Sequence, residues 1–218
     1  MQTEWRIQRI HRASLKEFKR LAPPIPARLN LGSGLRPRPG WINVDLTAPT
    51  PDLRLDLREP LPFGDGTVAE IYTEHFFEHL DYASVGDSTA WSLDLPNDPS
   101  EALSFLRECQ RVLIPGGVLD IVVPDAECIL NEYVARREQP CPRYGWWGPD
   151  WCDTPIHCVN YVFRQGREHK YAYDAETMSR VLGRVGFSGI TRRPFDPARD
   201  AENHAIGSLC VTALKPAG

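Results

Sequence analysis

The stretch Leu29-Asn30-Leu31-Gly32-Ser33-Gly34, followed by Trp41-Ile42-Asn43-Val44-Asp45, decides the fold that this sequence predicts. The first apolar run has the pattern of a buried strand and leads directly into two closely spaced glycines. A second short strand then ends in an acidic residue. At the edge of a parallel sheet, such a pair of strands offers bare backbone and a carboxylate to a nucleoside-bearing cofactor.

The spacing of this stretch differs from that of a nicotinamide dinucleotide site. Asp45 follows Gly32 by 13 positions (45 − 32), whereas the dinucleotide pattern places its acid about 20 residues on. Arg36 stands where a third glycine would be needed, and the prolines at 37 and 39 leave little room for a helix. We therefore expect an irregular loop or a single turn here, and an ordinary tight turn is the alternative interpretation of the glycines alone.

The composition is that of an ordinary globular protein, and 218 residues are enough for one domain, 1–218, with a sizeable core. No run approaches the roughly 18 apolar residues of a membrane span, and the first residues lack the apolar stretch of a signal peptide. We expect a soluble, cytoplasmic protein without a membrane partner. The net charge of −4 argues against bulk electrostatic binding of nucleic acid.

The six cysteines are scattered and include no Cys-x-x-Cys pair, so we expect free thiols in a reducing compartment. Cys141, Cys152, His157 and Cys158 could gather around zinc, but their spacings match no common ligand pattern. The sequence therefore predicts no metal site.

Residues 1–27 predict an N-terminal helical segment, because apolar residues recur at helical spacing among an excess of basic ones. The simplest interpretation is an amphipathic helix packed on the domain, and an acidic partner or substrate is the alternative. The pattern Ser14-Leu15-Lys16-Glu17 is typical of a capping box, so two short helices in place of one are an alternative interpretation.

Two further strands are predicted at Leu53–Leu57 and Val68–Thr73. Asp56 could accept the amine of an adenine or could merely cap the next turn. Glu74 and His75 follow the strand Val68–Thr73, at the carboxyl end where ligands bind in open parallel sheets. The imidazole of His75 could remove a proton at that position. We expect His79, one turn later, to be structural.

The second half of the chain predicts helices alternating with strands. Asp98 is expected to cap a helix that ends before Pro115-Gly116-Gly117, and a buried strand follows at Val118–Val123. Asp174 is expected to cap another helix, which ends at Gly186. The last strands are predicted at residues 190–195 and 206–214.

The order of these motifs resembles the class I S-adenosylmethionine-dependent methyltransferases, particularly the compact type-11-like group. The resemblance covers residues 28–124 well and the rest more loosely. Its most specific piece is Arg111-Val-Leu-Ile-Pro-Gly-Gly, and the other pieces are Leu29 to Gly34, Gly40 to Asp45, Asp65 to Tyr72 and Phe77-Glu-His-Leu.

The resemblance implies an α/β fold with a Rossmann-like, mostly parallel sheet of seven strands, helices on both faces and an antiparallel last strand. It implies S-adenosyl-L-methionine as the cofactor, with contacts at Asn30, Gly32, Ser33, Gly34, Asp45, Leu46, Asp56, Leu57, Glu74 and His75. Asn30 stands where many members carry an acid, and the first crossover is short. These departures leave the contacts to the amino-acid end of the cofactor open.

Residues 126–172 form an aromatic-rich insertion between the fifth and sixth predicted strands, longer than a plain loop needs. Aromatic faces beside hydrogen-bonding groups suit a planar ring or the apolar face of a sugar. A small core that pins a lid to the sheet is the alternative. The predicted substrate-binding residues are Trp146, Trp147, Trp151, Asn160, His169 and Tyr171.

We hypothesise transfer of a methyl group from S-adenosylmethionine to an oxygen or nitrogen of a small molecule. The donor is already activated, so a base helps only when the acceptor arrives protonated, and His75 or His157 would serve. A sugar or glycan methyltransferase and a non-catalytic binding protein are the alternatives. A nucleic-acid methyltransferase is disfavoured because no Asn/Asp-Pro-Pro-aromatic element follows the fourth strand. A homodimer remains open.

Overall fold

The computed structural model describes residues 2–21, 23–82, 100–136, 149 and 151–217. The helices are α1 (Gln2–Leu21), α2 (Glu101–Val112), α3 (Ala126–Arg136), α4 (Pro155–Arg164) and α5 (Ala175–Val185). The strands are β1 (Ala27–Leu31), β2 (Ile42–Val44), β3 (Val68–Glu74), β4 (Leu113–Pro124), β5 (Ser188–Arg193) and β6 (Ser208–Leu214). Short 3₁₀ turns lie at Phe77–His79, Gln165–Arg167 and Glu202–His204.

The strands form one mixed α/β sheet in the order β2-β1-β3-β4-β6-β5. The first four strands are parallel, and β6 is antiparallel to both of its neighbours, which confirms the prediction for the last strand. The chain leaves β1 for β2 on one side and then crosses to β3 on the other. Ligands of open α/β sheets bind at the carboxyl ends of the strands where the order reverses in this way.

The predicted strand at Leu53–Leu57 is wrong, and the described residues form six strands rather than seven. One isolated bridge, between Val44 and Leu53, is all that joins this segment to the sheet. Its leucines are nevertheless buried, as the alternating pattern indicated. The alternation therefore reports burial of one side of the segment and not a hydrogen-bonded ladder.

Side chains of α1 bind the outer edge of this segment. The main-chain N–H of Arg54 donates to Ser14 Oγ at 2.8 Å, and that of Asp56 donates to His11 Nδ1 at 3.1 Å. These donors are the groups that a neighbouring strand would otherwise engage. The helix thus replaces a strand partner with two side-chain acceptors.

Helix α1 runs without a break through Ser14, so the capping-box interpretation with two helices is wrong. Leu15 and Phe18 pack against the main core, and the rings of Phe18 and Phe63 meet edge to face at 4.9 Å. The amphipathic face is therefore anchored on the sheet. No helix within the described ranges has the length and apolar content that a bilayer-spanning segment needs.

The first face of the sheet carries the main core. Ile71, Leu119 and Val211 alternate onto this face and share one cluster with residues of α2 and α5. Ser100, and not Asp98, caps α2, since its hydroxyl accepts a hydrogen bond from Leu103 N at 3.3 Å. Asp98 itself lies outside the described residues.

The second face of the sheet is unusually polar. Arg193 from β5 bonds to Asp120 of β4 at 2.9 Å and to Asp200 at 2.7 Å, and Tyr72 of β3 donates to Asp200 at 3.0 Å. Asp200 belongs to segment 194–205, which therefore packs against this face of the sheet. Paired charges and hydrogen bonds hold this segment against the sheet.

We predict that Ser14→Ala lowers the free energy of unfolding by about 1–2 kcal/mol, because the buried Arg54 N–H loses its acceptor. Ser179→Ala, at an exposed position of α5, is the matched control for the change in helix propensity. Urea unfolding of both variants measures the difference. Equal effects at the two positions would contradict the role of Ser14.

Candidate functional site

The chain bends sharply after β1, and the two glycines serve the bend in different ways. Gly32 has φ 69°, and a Cβ there would lie 2.6 Å from Phe76 Cβ. Gly34 has φ 50°, and nothing lies within 4 Å of its missing Cβ. One glycine is required by the packing, and the other leaves its backbone uncovered.

Asp45 holds this loop from the end of β2. Its Oδ2 accepts a hydrogen bond from Gly34 N at 2.9 Å, while Oδ1 accepts from Thr47 N and Ala48 N at 2.7 Å each. A carboxylate oxygen can accept two hydrogen bonds, so Oδ2 keeps capacity for a ligand hydroxyl. The acid and the open glycine therefore lie side by side.

Asn30 shapes the same loop from within the sheet. The buried amide Nδ2 donates to Arg36 O at 3.0 Å and to Asn43 Oδ1 at 2.9 Å. It thereby ties the segment after the glycines to β2. An acid at this position could not make these two donations, which explains why this chain carries an amide.

A cavity of about 780 Å³ opens between this loop and segment 198–204. It lies at the carboxyl ends of β1 and β3, where the strand order reverses. Three of its lining residues are arginines, of which Arg199 pairs with Glu70 and Asp120, and Glu74 lines the same cavity. The lining residues used below are Gly32, Ser33, Gly34, Arg36, Glu74 and His75.

His75 leaves β3 with φ 50°, a conformation rare outside glycine. Its ring stacks on that of His204 with centroids 3.6 Å apart, and its Nε2 lies 3.1 Å from Ser208 Oγ. Burial, together with the neighbouring histidines, lowers the pKa of His75 to about 2. The imidazole is therefore neutral near pH 7, and its low pKa makes it a weak base.

Glu74 positions segment 201–204 against this histidine. Its Oε1 accepts hydrogen bonds from Ala201 N at 2.7 Å and is 3.0 Å from His204 Nδ1. Burial alone would raise the pKa of Glu74, but the bonds from His204 and Ala201 hold it below its ordinary value. The charged carboxylate thus fixes His204 over His75.

A second, smaller cavity of about 290 Å³ adjoins the first. It is bounded by the insertion, through Tyr161, Val162 and His169, and by the start of β6. Four residues line both cavities: His75, Gln165, Asn203 and His204. The stacked histidine pair therefore stands where the two spaces meet.

Glu78, in the turn that follows, is almost fully buried at 1% exposure. Its Oε1 lies 3.5 Å from His75 Nδ1 and 3.9 Å from His169 Nε2. Among the described residues, neither carboxylate oxygen has a hydrogen-bond partner. Burial raises the pKa of this carboxyl to about 8.

The predicted substrate residues are distributed unevenly. His169 lines the smaller cavity, whereas Tyr171 stacks on Tyr82 with centroids 4.5 Å apart, against the main core. Trp151 is 62% exposed, and the amide of Asn160 bonds to Ile156 O within its own helix. Trp146 and Trp147 lie outside the described residues.

His157, the other candidate base, lies on the exposed side of α4. Its Nδ1 pairs with Asp153 Oδ1 at 2.6 Å, and it lines neither cavity described above. Cys152 and Cys158 are buried in a small apolar cluster with Ile129. The thiols therefore serve packing here.

The predicted adenine contacts lie apart from both cavities. Arg58 binds the carboxylate of Asp56 with both Nε and Nη2, at 2.9 and 2.7 Å. Leu57 is buried in the core, and the carbonyl of Leu46 accepts a bond from Arg54 at 3.4 Å. In this structure Asp56 anchors Arg58 and the turn after it.

Sequence reasoning missed His204 and Gln165, which line both cavities. His204 lies in a polar loop more than a hundred positions from Glu74, and no local pattern connects the two. Arg36 carried a local signal, since it follows the glycines directly.

No protein-family model matches the chain, and no curated protein matches its sequence. Among solved structures, an S-adenosylmethionine-dependent methyltransferase from Thermotoga maritima is 14% identical, with a TM-score of 0.46 over 98% of this chain and 93% of that one. A methyltransferase of the same description from Mesorhizobium loti is 16% identical, with a TM-score of 0.47 over 89% and 94%.

Haemonchus contortus phosphoethanolamine N-methyltransferase 2, solved in complex with S-adenosyl-L-methionine, is 13% identical, with a TM-score of 0.47. That match covers 94% of this chain and 52% of the other, so this chain spans about half the length of that enzyme. At these identities and scores, the likenesses assign neither an activity nor a substrate to this chain.

We predict that Gly32→Ala destabilises the protein by at least about 2 kcal/mol and Gly34→Ala by only about 1 kcal/mol. Both variants force alanine into the left-handed region, but only the first also drives a Cβ into Phe76. Guanidinium unfolding of the pair gives the comparison. A larger loss at Gly34 than at Gly32 would refute this account of the bend.

Proposed function

We propose that this protein is an S-adenosylmethionine-dependent methyltransferase that acts on an oxygen or nitrogen of a small molecule. The observation that carries the proposal is the junction of two cavities at His75. The larger cavity borders the open glycine loop, and the smaller one borders the insertion. Methyl transfer needs this arrangement, because donor and acceptor must meet in line within a space that excludes water.

The glycine loop and Asp45 would hold the nucleoside side of the cofactor. The main chain at Gly34 is open, and Asp45 Oδ2 retains capacity for a ribose hydroxyl, so the residues present fit the group. For Asp56 to accept an adenine amine, Arg58 would have to share its carboxylate. Leu46 and Leu57 would then supply apolar contacts at that end.

Arg36 suits the amino-acid end of the cofactor, whose contacts the sequence left open. Its exposed guanidinium lines the larger cavity and makes a 3.5 Å contact with Asp200 O. A guanidinium binds a carboxylate with two parallel hydrogen bonds. We assign Arg36 to the cofactor carboxylate and Glu74 and His75 to the sulfonium end.

The smaller cavity would take the acceptor. Its volume fits a small molecule, and its polar lining includes His169, Gln165 and Ser208. Hydrogen-bonding groups of this kind favour a hydroxylated acceptor, such as a sugar, over a flat aromatic one. Trp146, Trp147, Trp151, Asn160 and Tyr171 would contribute only where the acceptor extends beyond this cavity.

When bound, S-adenosylmethionine supplies a methyl group already activated by its positive sulfur. The protein's own task is to align the acceptor and to remove a proton where one is present. We assign this proton transfer to His75, whose Nε2 lies beside Ser208 in the acceptor cavity. Because the pKa of His75 is low, the role requires that the bound acceptor raise it. His204, stacked above it, keeps the ring in place.

We predict that the purified protein binds S-adenosylmethionine and not NAD in isothermal titration. The short spacing between glycine and acid suits a mononucleoside, whereas NAD requires a longer site. Binding of NAD alone would end the proposal. Tight binding of S-adenosylmethionine with no labelled methyl transferred across a broad panel of acceptors would instead indicate a non-catalytic binding protein.

Asp45→Asn is expected to weaken S-adenosylmethionine binding at least about tenfold, because the ribose loses a charged acceptor. The control is Asp65→Asn, a change at a surface carboxylate whose side chain is 80% exposed. Titration of both variants under the same conditions measures the ratio. Equal affinity of the two variants would exclude Asp45 from the cofactor site.

His75→Asn should reduce turnover about 100-fold once an acceptor is known, as expected for loss of a general base. Asparagine tolerates the positive φ of this position, so the backbone stays unstrained. His157→Asn, assayed beside it, separates the two candidate bases. Loss in the second variant alone would move the role to His157, and unchanged turnover in both would exclude an imidazole base.

A further inference from the structure

Glu78, His79 and His169 form a cluster that the proposed methyl transfer does not use. One potential ligand atom from each residue lies within 4.8 Å of the other two. The rings of His79 and His169 meet edge to face, with centroids 4.8 Å apart. Two of the residues come from the turn after β3, and the third comes from the insertion.

The buried carboxylate of Glu78 is the feature that needs an explanation. A desolvated carboxyl group without a hydrogen-bond partner is costly, and native proteins rarely keep one. Here neither oxygen has such a partner among the described residues, although the rings of His75 and His169 lie 3.5 and 3.9 Å from Oε1. A cation bound between the Glu78 carboxylate and the neighbouring imidazoles would offset this cost.

The orientation of the His169 ring shows which of its nitrogens can bind such a cation. Its Nδ1 lies 2.5 Å from the carbonyl oxygen of Val162, which can only accept a hydrogen bond, so Nδ1 carries the proton. In the neutral ring, Nε2 therefore turns a lone pair toward Glu78 Oε1 at 3.9 Å. A backbone carbonyl that fixes the ring in this way is the usual support of a metal-bound histidine.

From this geometry we infer that Glu78, His79 and His169 bind a divalent transition-metal ion. Two imidazoles and one carboxylate form the ligand set of sites for zinc and related ions. Ligand atoms around a tetrahedral zinc ion are about 3.3 Å apart, so small side-chain rotations from the present positions would close the site. The expectation of no metal rested on the cysteines and did not consider this cluster.

The position of the cluster gives the ion a structural consequence. His169 lies beside two main-chain bonds that dock the end of the insertion on the turn, from Lys170 N and Tyr171 N to Glu78 O at 2.8 and 3.3 Å. A metal bond to His169 would lock this junction. Because His169 also lines the smaller cavity, the ion would fix one wall of that space.

The test is direct titration of the full chain, freed of metal by a chelator, with Zn²⁺ and with Co²⁺. We expect one ion per chain with a Kd below about 1 µM, visible d–d bands of tetrahedral Co²⁺, and a higher unfolding temperature that the chelator reverses. No cofactor is present in this assay, so its outcome is independent of the methyltransferase proposal. Absence of binding in the wild-type protein would overturn the inference.

Glu78→Gln and His169→Asn are each expected to weaken Zn²⁺ binding at least about 100-fold. His157→Asn is the matched control, since it removes a histidine paired with a carboxylate in the same insertion but outside the cluster. Full binding in the two cluster variants would overturn the assignment, as would its loss in the control alone.

Should either cluster variant fail to fold, the wild-type protein still decides the question. The chain has six histidines, and their imidazole NMR signals can be followed during Zn²⁺ titration. Shifts confined to the rings at the cluster, those of His79 and His169 with the adjoining His75, support the site. Shifts confined to His11 or His157 refute it.

Discussion

Parallel hydrogen bonding joins β1 to β2 on one side and to β3 on the other, with Leu31 level with both Val44 and Thr73. The three strands therefore end at one edge of the sheet, and the residue after each strand enters the same space. The chain can leave β1 there only because Gly32 accepts a positive φ beneath Phe76. This shared register brings Gly32, Asp45 and His75 to one edge of the sheet.

Local patterns predicted those parts of the fold whose causes are local. The strand before Gly32, the cap at Asp174 and the left-handed end of a helix at Gly186 all depend on neighbours a few residues away. The predicted third strand failed for the opposite reason. Its hydrogen-bond partners are side chains of α1 about forty positions earlier, and no alternation of apolar residues can report them.

The same distinction separates the predicted from the unpredicted parts of the site. Asp45, Glu74 and His75 follow strands, so their position at the sheet edge could be predicted from the sequence. His204 reaches the site through a hydrogen bond with Glu74 across 130 positions of chain, and Glu78 is recognisable only by its burial. Residue type and spacing do not contain that information.

The side chains that α1 offers to residues 54 and 56 have a consequence for association between molecules. Open sheet edges invite strands of other chains, which can lead to aggregation or to dimers formed by strand addition. Beside β2, that edge is covered by segment 52–56, whose own donors point to Ser14 and His11. A second molecule could extend the sheet here only by breaking the contacts of this segment with α1, so the helix protects β2 from strand addition.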